Sequence, residues 1–303
     1  MNKNYDRRDI EYMKQYFLLA VAATMFAACS NEYTSYTDVV ENEKAKVMIS
    51  FAPDDGETMT RAMVPVGDVV NRLDVWLFEG DATAAVGQTE VVAGSHQTKD
   101  NDGFGSLSVT LDKNRTYTLY AVGHKESTST SISGGVVSFP ETKKLQTLYY
   151  TRTFTPSETT TLSCMMKRAV GAFRIVFNDE VPEDVKKLSI STTQTPTQWS
   201  FPQLAGVTPS GNYTVEWTKW SKDKDGMLYF TVYVLGSDTE THYDFVVTAY
   251  GEDSSVLKLR TFTSVPIRNN YMITYRGSFF LDTPFSSTFT VDDEWKTYDD
   301  VEY

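Results

Sequence analysis

Cysteine and histidine are scarce in this chain of 303 residues, with two and three copies. Two cysteines, Cys29 and Cys164, allow at most one disulfide, which excludes a disulfide-stapled scaffold. The three histidines, His96, His124 and His242, are far apart and fall in turns or at strand ends. No H-E-x-x-H or C-x-x-C spacing supplies a metal site, so all three are read as surface or strand-end residues. There is no G-x-S-x-G nucleophile elbow, and no Gly-rich phosphate loop leads into a helix. Asp100–Gly103 and Asp223–Gly226 begin like calcium loops but lack the later acidic ligands, and hairpin turns account for them. The carboxylate pairs Asp54-Asp55 and Asp299-Asp300 lie in turn or tail sequence, with nothing nearby to desolvate one member and raise its pKa. No catalytic residue, metal or cofactor is therefore expected, and the chain is read as a non-enzyme.

Positive charge is also in deficit. Against 40 Asp and Glu stand 28 Lys and Arg, a net charge of −12. Such a chain repels nucleic acid, because it has no cationic surface from which counterion release could drive binding. Long hydrophobic runs are missing too. The longest apolar stretch, Tyr16–Phe26, is shorter than the roughly 20 residues of a membrane-spanning helix.

That short stretch is informative in another way. Lys14 precedes it, the small pair Ala27-Ala28 follows it, and Cys29 comes next. A basic n-region, a short h-region and small residues at the cut make a secretory signal, and the cysteine makes it a lipobox. Residues 1–28 are thus expected to be removed, with Met13 as an alternative start to Met1, and Cys29 to become an acylated N-terminus. Loss of residues 1–28, which hold four basic and three acidic groups, leaves about 275 residues with a net charge of −13. With its thiol consumed at Cys29, the chain keeps only Cys164, in the apolar stretch Thr161–Met166, which is read as a buried small hydrophobe.

Residues 29–45 are polar, acidic and without period, as suits a flexible tether. Beyond them period-two alternation dominates. It covers Lys46–Phe51, Leu73–Phe78, Tyr117–Val122, Gly171–Phe177, Met227–Val234, Tyr243–Tyr250 and Tyr271–Phe280. In Leu73–Phe78 both alternating sets are mostly apolar, which predicts a strand covered on both faces. Turn clusters such as Asp100–Gly103, Ser133–Gly135 and Pro209–Asn212 separate the runs. The predicted class is all-β, with two tandem β-sandwiches at 46–158 and 159–285, and a C-terminal strand with an acidic tail at 286–303. The boundary is placed at the polar, Pro/Ser/Thr-rich stretch Phe154–Thr161, and the one helix predicted is short, Val181–Lys187, with Pro182 at its start.

Three tryptophans are candidates for contact with glycans. Exposed on a sandwich, Trp199, Trp217 and Trp220 would stack on sugar rings, although inter-strand packing is the favoured role. Trp217 and Trp220 are three residues apart, so within one strand they would point to opposite faces. Asn114-Arg-Thr116 and Asn212-Tyr-Thr214 match the glycosylation sequon but are read as turn asparagines.

Several strand sequences carry a resemblance. Lys167–Phe177 followed by Val181-Pro182, then Arg260–Ile267 with Asn269, Thr274 and Gly277–Phe280, resembles the second domain of the FimB-type fimbrillin-A-associated anchor proteins. Leu73–Glu79 resembles that family's early first-domain strand, and with the lipobox the resemblance covers most of 29–281. It implies transthyretin-like, Greek-key sandwiches in a Bacteroidetes outer-membrane lipoprotein. It further implies partners in other fimbrial subunits, joined by strand exchange, and a role in cell adhesion at the surface. In the wider superfamily, stalk or tip pilins are cut after a basic residue near the N-terminus. Here the matching residue is Arg61, in Met59–Ala62; cutting there would release the lipid and the strand Val47–Phe51, while an ordinary loop arginine is the alternative. Ser287–Val291 is either a donor strand or the last strand of the second sandwich. An anchor-type subunit is the main expectation, with a surface glycan-binding lipoprotein and a polymerising pilin as alternatives.

Overall fold

The computed structural model describes residues 43–54, 65–87, 93–126, 128–139, 146–209, 213–222 and 225–281. All belong to one unit, Glu43–Tyr303. The all-β expectation holds. The first nine strands are β1 (Lys44–Pro53), β2 (Arg72–Glu79), β3 (Ala93–Thr98), β4 (Ser106–Asp112), β5 (Tyr117–His124), β6 (Ser131–Ser133), β7 (Val136–Ser138), β8 (Thr147–Phe154) and β9 (Thr159–Arg168). The remaining nine are β10 (Val170–Phe177), β11 (Lys187–Thr192), β12 (Pro196–Ser200), β13 (Ala205–Pro209), β14 (Tyr213–Trp217), β15 (Leu228–Leu235), β16 (Thr241–Tyr250), β17 (Val256–Ile267) and β18 (Met272–Gly277).

The first core lies inside a seven-stranded sheet ordered β3-β2-β5-β8-β9-β1-β4, which folds over on itself where β8 meets β9 through the short pairing Leu148↔Arg168 and Tyr149↔Lys167. Val47, Ile49 and Phe51 of β1 meet Leu73, Val75 and Leu77 of β2 and Leu119 and Ala121 of β5 there. The second core lies between a three-stranded sheet, β15-β10-β18, and a four-stranded one, β14-β11-β16-β17. Phe173, Ile175 and Phe177 face Phe245, Val247 and Phe262 across it. These are the alternating apolar sets seen in the sequence, each with one face turned inward.

Thr159–Arg168, placed from sequence at the start of the second sandwich, belongs to the first. Strand β9 runs parallel to β1 from Lys46↔Thr159 to Pro53↔Met166. Alternation reports which face is buried and is silent on which neighbour a strand pairs with, so the polar stretch before β9 reads as a boundary when it is a connection within one sheet. The helix predicted over Val181–Lys187 is a single turn, closed by the Val185 amide on the Pro182 carbonyl at 3.1 Å. Lys187 is already committed to β11, which leaves too few residues after Pro182 for a second turn; the described α-helix lies instead at Ala82–Gly87.

A third core joins the two. The outer faces of β2 and β5 (Trp76, Phe78, Tyr120, Val122) and of the three-stranded sheet (Val170, Ala172, Tyr233, Leu235, Met272) share it with Trp199 and Phe201. It is closed by a fourth sheet, β13-β12-β7-β6, in which strands from both halves of the chain pair, Trp199 opposite Val137. The β6–β7 hairpin turns on Gly134 and Gly135, both at positive φ of 59° and 72°, as a two-residue turn of the mirror-image type requires. This third core accounts for β2, β5 and β15 being buried on both faces.

Candidate functional site

The first feature that positions function is β1. It is an interior strand, paired antiparallel to β4 from Lys44↔Asp112 to Ser50↔Ser106 and parallel to β9 on its other side. Both ends are fastened. The Lys113 amide donates to the Glu43 carbonyl at 2.6 Å, and the Asp54 amide to Met166 at 2.7 Å. Lys44 pairs with Asp112, and Lys113 with Glu43 at 2.8 Å. The hydrogen bond from Lys113 holds the exposed Glu43 carboxyl below its ordinary range; exposed pairs of this kind contribute little stability. The outward side chains Lys46, Met48 and Ser50 line an open hollow of about 450 Å³ with Ser106, Ser108 and Thr161, under the turn at Asp102 and Gly103.

Cys29 and Arg61, the candidate lipidation and cleavage residues, lie outside the described residues, as does Ser287–Val291. The three tryptophans are described. Trp199 has no exposed surface and packs on Tyr149 with ring centroids 4.6 Å apart, which leaves no face for a sugar. Trp217 and Trp220 are half-buried, and both meet Phe230 edge-on, at 5.2 and 6.0 Å. They point the same way because β14 ends at Trp217, and beyond its last residue the strand period no longer sets direction. Cys164 is buried in the first core, and burial pushes its thiol up to about 11. In the folded protein it is therefore expected to resist alkylation at pH 8 and to react fully only in denaturant, as mass spectrometry of iodoacetamide-treated samples would read.

Sequence reasoning missed one constellation. Asp74, on the outer face of β2, is fully buried and lies opposite His96 of β3 and beside His124 of β5. One carboxylate oxygen, Oδ1, lies 2.8 Å from His96 Nδ1. The other, Oδ2, lies 3.0 Å from His124 Nε2 and accepts the amide and hydroxyl of Thr130, both at 2.7 Å. Burial alone would raise the Asp74 pKa; the hydrogen bonds from His124, Thr130 and His96 outweigh it and hold the carboxyl at about 2. His124 Nδ1 is buried with no hydrogen-bond partner, so the ring meets the cluster through Nε2 alone. His124 is the last residue of β5, a strand end as expected, but it is buried and not on the surface, whereas His96 and His242 are exposed. The two histidines occupy separate oxygens and do not converge, and among the described residues no group of three or more His, Cys, Asp or Glu is arranged to hold a metal. The cluster works as a clamp, tying the segment that leads through Thr130 into β6 onto the first sheet. Nothing in local sequence marks it, because its members lie 22 to 56 residues from Asp74 and are brought together by the fold.

Residues 142–301 match the family described as a family of unknown function, DUF6562. The chain belongs to this family. The DUF6562 match takes in β8, β9, every later strand and most of the segment after Leu281, so the family's unit includes two strands of the first sheet. No curated protein matches the chain. Among solved structures, it is similar to a candidate cell adhesion protein from Bacteroides ovatus at 11% identity, covering 82% of this chain and 96% of that one with a TM-score of 0.49. It is also similar to candidate polysaccharide-binding proteins of DUF1812 from Bacteroides thetaiotaomicron, at 8% identity, 77% and 92% coverage and a TM-score of 0.49. A third likeness is to the fimbrial anchor protein Mfa2 from Porphyromonas gingivalis, at 10% identity, 77% and 91% coverage and a TM-score of 0.43.

Proposed function

We propose that the protein is a non-enzymatic subunit of a cell-surface fimbrium, of the anchor or accessory type. Acyl chains on Cys29 hold it to the outer membrane, and strand complementation joins it to neighbouring subunits. The observation that carries this reading is the interior position of β1. Residues 30–43 separate Cys29 from β1, about 50 Å when fully extended. Load on a filament then reaches the lipid through β1. Pulled along its length, a strand with neighbours on both sides must lose two rows of hydrogen bonds that lie across the pulling direction, and Val47, Ile49 and Phe51 must leave the first core. One acyl chain binds only marginally, at about 0.8 kcal/mol per buried CH₂, so durable retention needs the two or three chains of a mature lipoprotein.

Strand complementation is supported by general properties of β-sheets. Sheet edges present unpaired backbone groups, and an added strand gains main-chain hydrogen bonds plus pockets for alternate side chains. A glycan-binding role finds less support, since Trp199 is sealed in the interior and Trp217 and Trp220 are spent partly on Phe230.

Mass spectrometry of the N-terminus of protein taken from native membranes and sheared fimbriae tests the proposal. An acylated Cys29, with the subunit crosslinking into a ladder, is the expected result. A free start at Ala62 would overturn the anchor assignment and mark a polymerising subunit matured after Arg61. Retention on polysaccharide gels that is lost in Trp217→Ala would favour the glycan-binding alternative.

A further inference from the structure

Strands β3 and β4 are the two ends of the first sheet, and because that sheet folds over at β8 and β9 they come back towards each other across its open side. Backbone groups along β4 alternate in direction. Gly105 gives its carbonyl to the Phe51 amide, and Lys113 gives its amide to the Glu43 carbonyl, so the odd-numbered residues between them face β1. Ser106, Ser108, Thr110 and Asp112 therefore turn their backbone to the outer edge. Side chains from the other half of the sheet occupy both ends of that edge. The Gln97 carboxamide takes the Gly105 amide on Oε1 at 2.9 Å and donates through Nε2 to the Ser106 carbonyl at 2.8 Å. Gly105 sits at a φ of +81°, which turns its amide out to Gln97 while its carbonyl stays on Phe51. The Ser106 amide is used within the turn, on the Gly103 carbonyl at 2.9 Å. At the far end the Asp112 amide donates to the Tyr117 hydroxyl at 3.2 Å. What is left between the two is the backbone of Ser108 and Thr110.

We infer that Gln97 and Tyr117 close the β4 edge to strand addition by a second copy of the chain, standing where a further strand between β3 and β4 would supply main-chain partners. A sheet edge left open is a template for another chain. Gln97 suits the task because it lies opposite Leu73 of β2, a residue of the first core, so its side chain projects across the open side towards β4. Its carboxamide carries the acceptor and the donors of a peptide unit. Tyr117 belongs to the same core, and its ring lies against Phe154 with centroids 6.2 Å apart, which holds the hydroxyl at the edge. The turn from β3 into β4 is itself fixed: Asn101 Oδ1 accepts the Thr98 amide at 2.7 Å, and the Asn101 carbonyl accepts the Phe104 amide at 3.2 Å. An incoming strand would have to displace bonds at both ends or settle for the two residues between them, whereas ordinary strands run about 3–10 residues. The side chains of Ser108 and Thr110 are polar and exposed, so this window offers little apolar burial in return. The inference does not depend on the fimbrial reading; where subunits join by strand complementation, they do so at another edge.

Amide exchange resolved by NMR, with mass from light scattering, tests it on the full chain, in the native sequence, Gln97→Leu, Tyr117→Phe and the double variant. Leu and Phe keep the bulk of the side chains they replace, and unchanged exchange across β2 and β5 checks that the fold is kept. In the native protein the Gly105 and Asp112 amides should be protected, and those of Ser108 and Thr110 should exchange freely. Gln97→Leu should speed exchange about tenfold or more at Gly105 alone, and Tyr117→Phe at Asp112 alone. The double variant should gain mass towards a dimer as its concentration rises, with Ser108 and Thr110 becoming protected in step. Free exchange at Gly105 or Asp112 in the native protein would overturn the caps, and the single variants decide this by themselves. A folded double variant that keeps its monomer mass at every concentration, or gains mass without protection at Ser108 and Thr110, would overturn their role in excluding a strand.

Discussion

Trp199→Ala is expected to cost about 3–5 kcal/mol, the range for removing a large aromatic side chain from a sealed site, and to split a single unfolding transition into two. Trp199 is wholly buried, packs on Tyr149 of β8, and sits in β12 between Val137 and Gly206. It thus stands where the fourth sheet meets both halves of the chain. The two sandwich cores have their own buried residues and do not include it. Loss of the indole therefore weakens the junction selectively, and each core should then melt at its own temperature in scanning calorimetry. Trp199→Phe makes the control. The indole Nε1 has no hydrogen-bond partner, so phenylalanine forfeits no bond and keeps most of the apolar bulk. It should cost much less and retain one transition. A single transition in Trp199→Ala with normal cooperativity would show that the junction is not what couples the halves.

Asp74→Ala is the second large effect. It removes the acceptor that satisfies His124, His96 and Thr130 at once and leaves the buried Thr130 amide and the His124 ring without partners. Each buried donor left unsatisfied costs about 1–3 kcal/mol, so a loss of several kcal/mol is expected, to be read from urea unfolding at pH 7. The acid dependence gives an independent signature. The carboxyl is held at about 2 when folded, against about 3.9 in an unfolded chain. A depressed folded pKa contributes stability that is fully present above the unfolded value and is lost as pH falls through the folded one. The native protein should therefore lose stability between about pH 4 and pH 2 more steeply than Asp74→Asn does, by the uptake of one proton. Parallel slopes for the two proteins in that window would remove Asp74 from the account of acid sensitivity.

The contrast between these residues shows what alternation can and cannot report. Val47, Ile49 and Phe51, or Phe173, Ile175 and Phe177, declare their buried face within a few residues of chain, because side chains alternate across a strand. The double-sided burial of β2 was equally readable, as Leu73, Val75 and Leu77 alternate with Trp76 and Phe78. Asp74 stood in that same run as a polar exception, and its meaning depended on residues 22 to 56 positions away. Pairing of β9 with β1, and of β12 with β7, is likewise a matter of register between distant segments. The tryptophans divide along the same line: packing was the favoured reading for all three, but the shared orientation of Trp217 and Trp220 on Phe230 arises only because β14 stops at Trp217.

By itself the sequence determined the all-β class, the inward faces of the strands whose alternation is clear, the net negative charge and the expectation of a lipid at Cys29. These follow from composition and from period, both of which act within a few residues. Tertiary structure alone decided that β9 closes the first sheet, that β1 is an interior strand, that a third core and a shared sheet join the two halves, and that a buried carboxylate clamps the segment leading into β6 onto the first sheet. Each of these rests on which distant segments meet. That choice is made by the joint burial of all the apolar faces together, and no single stretch of chain encodes it.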